Sequence, residues 1–132
     1  MTELQRLKYL KVALRIVAII AIVGLYPLTL FWPSGWAWSS GTSEYLVMII
    51  AIYATLGICL LAAARNPNQH LSLISFAIWS SIVHAAVMAV LAMRDPMHVR
   101  HLYGDVPALV IIAAVLAFLS PAALRFPFTR QE

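Results

Sequence analysis

Four apolar runs, at roughly residues 12–31, 45–64, 71–93 and 106–124, take up most of this 132-residue chain. A hydrocarbon core is about 30 Å thick and an α-helix rises about 1.5 Å per residue, so about 20 apolar residues cross it once. Few folds are open to such a chain, because every backbone amide within lipid must find its partner inside the protein. The runs predict an all-α membrane protein, a bundle of four transmembrane helices forming one domain over residues 1–132. With 63% hydrophobic and 11% charged residues, the chain is too apolar for a soluble domain, and little of it is left to build one. A secretory leader also starts basic and then apolar, but its apolar core runs about 7–15 residues. The first run is longer, so a span is expected there.

A formal net charge of +4 raises the question of a nucleic-acid partner, and the positions of the basic residues answer it. Arg6, Lys8, Lys11 and Arg15 precede or open the first run, Arg65 lies between the second and third, and Arg125 and Arg130 follow the fourth. Arg94 and Arg100 fall on the opposite side, giving seven basic residues against two. By the positive-inside rule both the N- and C-termini are cytoplasmic. Membrane lipids are the partners expected of this charge, with no nucleic acid. The same bias opposes a dual topology, and no carboxylate lies at mid-depth to couple protons to transport.

Local signals set expected boundaries. Gly24 and Pro27 predict a bend in the first helix. Thr42 or Ser43 is placed to cap the second, with Glu44 in its first turn. Asn66-Pro67 reads as a tight turn opening the third helix, with Pro at its first position. Arg94-Asp95-Pro96 ends that helix, Pro96 to Tyr103 suits one or two interfacial helical turns, and Asp95 and Asp105 stand at natural N-caps. Small residues recur every four positions at Ala51, Thr55 and Cys59, and at Ala77, Ser81, Ala85 and Ala89. These ladders predict that the second and third helices pack together, or that one ladder joins two copies. Cys59 is the sole cysteine and reads as a small packing residue.

His84 is the one side chain deep in these runs that can change charge near neutral pH. It lies about 15 Å from either end of its helix, near the midplane. At 100° per residue, Ala77, Ser81, His84, Met88 and Asp95 fall within about 60° of arc. Polar groups at such depth face the bundle, so this face is expected to point inward. Tyr53, at similar depth on the second helix and opposite Glu44, is the best expected partner; Ser80, Ser81 or a carbonyl are alternatives. The bland role is a neutral imidazole fixing helix packing. The functional roles are a proton donor or acceptor, or an anchor for a ligand.

A second group gathers outside the midplane: Glu44, Asp95, His98, His101 and Asp105. His98 and His101 at i, i+3 could offer two rings to zinc or copper, although capping and pairing with Arg94 and Arg100 account for the same residues. Trp32, Trp36 and Trp38, broken by Pro33 and Gly35, suit a turn at headgroup level, or else the wall of a ligand site. Haem needs axial His or Met ligands from facing helices, so one deep histidine would require a dimer interface.

Several stretches carry a resemblance: Tyr26-Pro27 through Phe31-Trp32-Pro33-Ser34-Gly35-Trp36, Ile52-Tyr53-Ala54-Thr55-Leu56-Gly57, Trp79-Ser80-Ser81 with Val83-His84, Arg94-Asp95-Pro96, and Gly104-Asp105-Val106-Pro107. Together they resemble a family of small bacterial four-helix membrane proteins of unknown function, over nearly the whole chain. The overall layout is similar to that of DoxX-like proteins. Neither resemblance implies a catalytic motif. The resemblance implies a bacterial inner membrane location.

The leading expectation is a non-enzymatic protein, self-associating or part of a larger membrane complex, with an outward-facing intramembrane cleft for a small apolar or amphipathic ligand or a partner subunit. Its expected lining is His84, Tyr53, Ser81, Met88, Trp32, Glu44, Asp95 and Asp105. One alternative is a small isomerase or oxidoreductase acting on a lipid or quinone, with His84 as acid or base assisted by Tyr53. Another is metal or haem binding at a dimer interface. No cofactor is assigned.

Overall fold

The computed structural model describes residues 1–38 and 43–125. Among the described residues there is no strand; the chain forms α1 (Glu3–Phe31), α2 (Glu44–Ala63), α3 (Leu71–Arg94) and α4 (Asp105–Leu119). The fourth crossing combines α4 with the 3-10 helix Pro96–Tyr103 before it, 24 residues together. All four crossings are long and apolar enough to span a bilayer, and their outer faces carry exposed Phe31, Ile52, Phe76 and Phe118. That surface suits acyl chains and would drive association in water. The protein is a multi-pass membrane protein.

The helix boundaries follow local chemistry, with four departures from expectation. α1 begins well before its apolar run because Thr2 and Gln5 cap it reciprocally: Gln5 N donates to Thr2 Oγ1 at 3.2 Å, and Thr2 N to Gln5 Oε1 at 3.0 Å. The expected bend takes the form of a π turn at Ile20–Gly24, where Leu25 N–H reaches back to Ile20 O. Pro27 lacks an N–H and its ring crowds the carbonyl four residues back, so a widened turn just before it relieves the ladder. α3 begins at Leu71 rather than Pro67, because Pro67–Gln69 closes as its own 3-10 turn with His70 N donating to Pro67 O at 3.0 Å. α4 stops at Leu119, short of residue 124, where Pro121 ends the ladder and starts the short helix Pro121–Arg125. Ser43 occupies the N-cap of α2 without a side-chain bond, and Thr42 lies outside the described residues. Asp95 does cap the 3-10 helix, accepting from Met97 N at 2.9 Å.

Packing departs from expectation more deeply. α1 lies against both α2 and α4, and α3 lies against α4, whereas α2 and α3 touch at only a few positions. Ala51, Thr55 and Cys59 face outward, while Ala77, Ser81 and Ala85 are buried. The close approach on α2 is at Gly57 instead. A β-carbon there would lie 2.7 Å from Ile22 Cγ1 and 2.8 Å from the Ala18 carbonyl oxygen. A ladder of small residues permits a close neighbour but does not say which helix it is.

The main cluster of buried apolar side chains lies in the half nearest the termini. Leu10, Leu14 and Ala18 of α1 meet Leu60 and Ala64, Ile74 and Ile78 of α3, and Leu116 and Leu119 of α4. In the other half the helices diverge. Substituting Gly57→Ala should force α2 off α1 and cost about 1–3 kcal/mol. Exposed Cys59→Ala should change stability by less than about 0.5 kcal/mol. Unfolding by sodium dodecyl sulfate in micelles, followed by circular dichroism, compares the two; equal effects would refute the α1–α2 contact as the tight one.

Candidate functional site

Where the helices diverge they enclose a cavity of about 900 Å³. Its walls include Ala21, Pro27 and Leu28 of α1, Ile50, Tyr53 and Leu56 of α2, Ser81, His84 and Met88 of α3, and Ala108, Leu109 and Ile112 of α4. Trp36, Trp38 and Asp105 line it at the end remote from the termini. Along α2 it extends from Leu46 to Leu60, which is about 21 Å of helix. Small-molecule sites commonly enclose about 300–1,000 Å³ of mostly apolar space with a few placed polar groups, as here. Because α2 and α3 scarcely meet, Ile49 on one and Val87 and Leu91 on the other border the cavity while remaining exposed. The gap between these two helices is therefore a lateral opening.

One polar bridge crosses that gap. Tyr53 Oη lies 2.7 Å from His84 Nδ1, with ring centroids 6.0 Å apart. The phenol donates when Nδ1 is bare, and the imidazole donates when Nδ1 carries the proton. Mid-helix placement on both sides explains the pairing: each polar group must find a partner in a dry environment, and each is the other's nearest at that depth.

The second polar cluster is at the roof. His101, 1% exposed, donates from Nδ1 to Asp105 Oδ2 at 2.8 Å, and Trp38 Nε1 donates to the same oxygen at 3.2 Å. The Trp38 ring stacks on His101 at 4.1 Å and on His98 at 4.9 Å between centroids. Asp105, expected to cap α4, instead accepts from a tryptophan 67 residues away in sequence and from His101 across the Gly104 turn. A β-carbon on Gly104 would overlap the carbonyl oxygen of Gly35, so backbone lies on backbone where the two connections meet. Arg100 Nη1 donates to Ser34 Oγ at 3.4 Å beside this contact. Among the described residues, two buried atoms at the roof have no hydrogen-bond partner: Asp105 Oδ1 and Trp36 Nε1.

Of the residues expected to form the site, His84, Tyr53, Ser81, Met88 and Asp105 line the cavity. Trp32, Glu44 and Asp95 do not line it. Trp32 is exposed and covers Gly35, Glu44 is exposed at the start of α2, and Asp95 caps the 3-10 helix with Oδ2 3.7 Å from His98 Nε2. Trp36 and Trp38 take the place expected of Trp32. The spacing of His101 and Asp105 at i, i+4 was a usable sign of their pairing, but nothing local marks which tryptophans turn inward. Among the described residues no three His, Cys, Asp or Glu side chains converge as a metal-ligand set. His98 and His101 are instead joined through the Trp38 ring.

Replacing His101 with Ala should leave a buried carboxylate short of its shortest hydrogen bond and cost about 2 kcal/mol. His98→Ala, at a half-buried site with a longer contact, should cost less than about 1 kcal/mol. Detergent unfolding curves of the two variants give the comparison.

No curated protein and no solved structure matches this chain, so the similarity to DoxX-like layout gains no support. The resemblance to an uncharacterised family is confirmed, and the residues that carry it include Trp36, Tyr53, His84 and Asp105, all of which line the cavity. With residues 5–129 matching the family of unknown function DUF6632, the chain belongs to that family.

Proposed function

We propose that this protein binds a small apolar or amphipathic molecule in the intramembrane cavity of its bundle. The cavity carries this reading: about 900 Å³ of mostly apolar space, open sideways between α2 and α3, with polar groups only at its middle and its roof. Within a bilayer, burying an apolar body offers little gain over remaining in lipid. Selectivity would then come from shape and from hydrogen bonds made in a dry site. The positive-inside bias supports an orientation with both termini cytoplasmic and the roof on the far side of what we read as a bacterial inner membrane. A ligand would reach the cavity from the outer leaflet.

Native mass spectrometry of the protein in nanodiscs, with extraction and analysis of whatever is released, should find a non-protein mass bound. Ala108→Phe, which fills the cavity, should lower its occupancy at least about 10-fold while the helical spectrum is kept; the loss of several contacts per bound molecule motivates that size. Absence of any bound mass in the unsubstituted protein would end the proposal. For orientation, cysteines introduced at Ser34 and Asn68 in a Cys59→Ala background should react with an impermeant thiol reagent at Ser34 only.

The Tyr53–His84 bond favours a second reading, a small isomerase or oxidoreductase acting on a lipid or quinone. A phenol and an imidazole 2.7 Å apart in one cavity can pass a proton between them and to a substrate. On that reading His84→Gln should lower turnover by about 100- to 10,000-fold with folding unchanged. A variant that turns over the extracted ligand normally would leave His84 as an anchor.

A further inference from the structure

The two unanswered atoms at the roof define what the cavity asks of a ligand. Asp105 is 6% exposed; its Oδ2 accepts from His101 and Trp38, while its Oδ1 has no partner among the described residues. Trp36 Nε1 is likewise closed to solvent and without an acceptor. Both residues line the cavity, and each directly follows one of the two glycines whose backbones touch, Gly35 and Gly104. An acceptor and a donor thus both belong to residues lining the roof of an apolar cavity. Leaving such groups buried and unpaired is costly, so a ligand that pairs them is favoured.

A hydroxyl answers both with a single oxygen, donating one hydrogen bond and accepting another. A carboxylate, phosphate or ether oxygen only accepts, leaves Asp105 Oδ1 without a hydrogen, and in the first two cases adds like charge. An ammonium only donates and leaves the indole N–H unmet; a quaternary ammonium does neither. We propose that the ligand is a hydroxyl-headed amphipath, its O–H donated to Asp105 Oδ1 and its oxygen accepting from Trp36 Nε1. The apolar body runs inward past Leu109 and Ile50 towards the Tyr53–His84 pair. This rests on the reading of the cavity as a binding site, and it gives that site its ligand class. The orientation also suits a bilayer, with the polar head outermost.

Tritiated dodecanol, dodecyl methyl ether and dodecyltrimethylammonium test it by direct binding to the nanodisc-held protein. Binding to the Ala108→Phe variant is subtracted and each value corrected for partition into the lipid. Dodecanol should bind about 10- to 100-fold tighter than the ether, the size expected of one hydrogen bond to a charged acceptor. This comparison probes Asp105 in the unsubstituted protein, so it does not depend on an Asp105 variant that folds. Trp36→Phe keeps the ring and removes only the donor, and should weaken dodecanol binding about 5- to 10-fold. Equal binding of alcohol and ether, or tightest binding of the ammonium, would overturn the hydroxyl assignment while leaving the cavity a binding site. Specific binding of none of the three would overturn both.

Discussion

Gly57 lets α2 come so near α1 that the Ala18 carbonyl occupies the space of any β-carbon. A helix has room for one such approach per face, and in this bundle it is directed at α1. α3 in turn is covered by α4, which leaves α2 and α3 without a shared seam. Core side chains close the bundle near the termini, and divergence beyond them opens the cavity. The Tyr53–His84 hydrogen bond then acts as a tie across a gap that apolar packing does not fill. In a site of low dielectric such a bond is stronger than in water, which is why one tie can matter there.

The roof depends on a second backbone contact. Gly35 against Gly104 brings the connection after α1 onto the one before α4, and with it Trp36 and Trp38 over the end of the cavity. Asp105 is the polar centre of that arrangement. A buried carboxylate needs several donors, and among the described residues one of its oxygens has two while the other has none. Most of the cavity wall is indifferent to chemistry, so the demand made on a ligand is concentrated at this unmet oxygen and the Trp36 indole N–H. Shape decides what fits between the helices, and the roof decides which headgroup is accepted.

Depth and periodicity made part of this site readable without a structure. His84 and Tyr53 are polar, mid-helix and at matching depth, and a bilayer leaves such groups little choice but each other. The inward face of Ala77, Ser81, His84 and Met88 followed from the helical repeat alone. Asp105 was legible as a residue of the outer cluster but not as the partner of Trp38, since N-cap chemistry gives the same local sequence another use. Trp32, Trp36 and Trp38 are equivalent as a string of letters, and only Trp32 was assigned to the cleft.

Four bilayer-length runs are properties of contiguous segments, so the sequence by itself determined a four-helix membrane protein, while several helix ends shifted with local capping and turn geometry. Which helices touch is a different kind of fact. Small residues at Ala51, Thr55 and Cys59 and at Gly57 offer competing faces of α2, and the choice turns on how the β-carbon-free surface at Gly57 fits Ala18, Ala21 and Ile22 of another helix. The cavity, its lateral opening and the inward tryptophans all follow from that choice and from the Gly35–Gly104 contact. These are steric fits between residues far apart in sequence, with no local signature, and only the tertiary structure decided them.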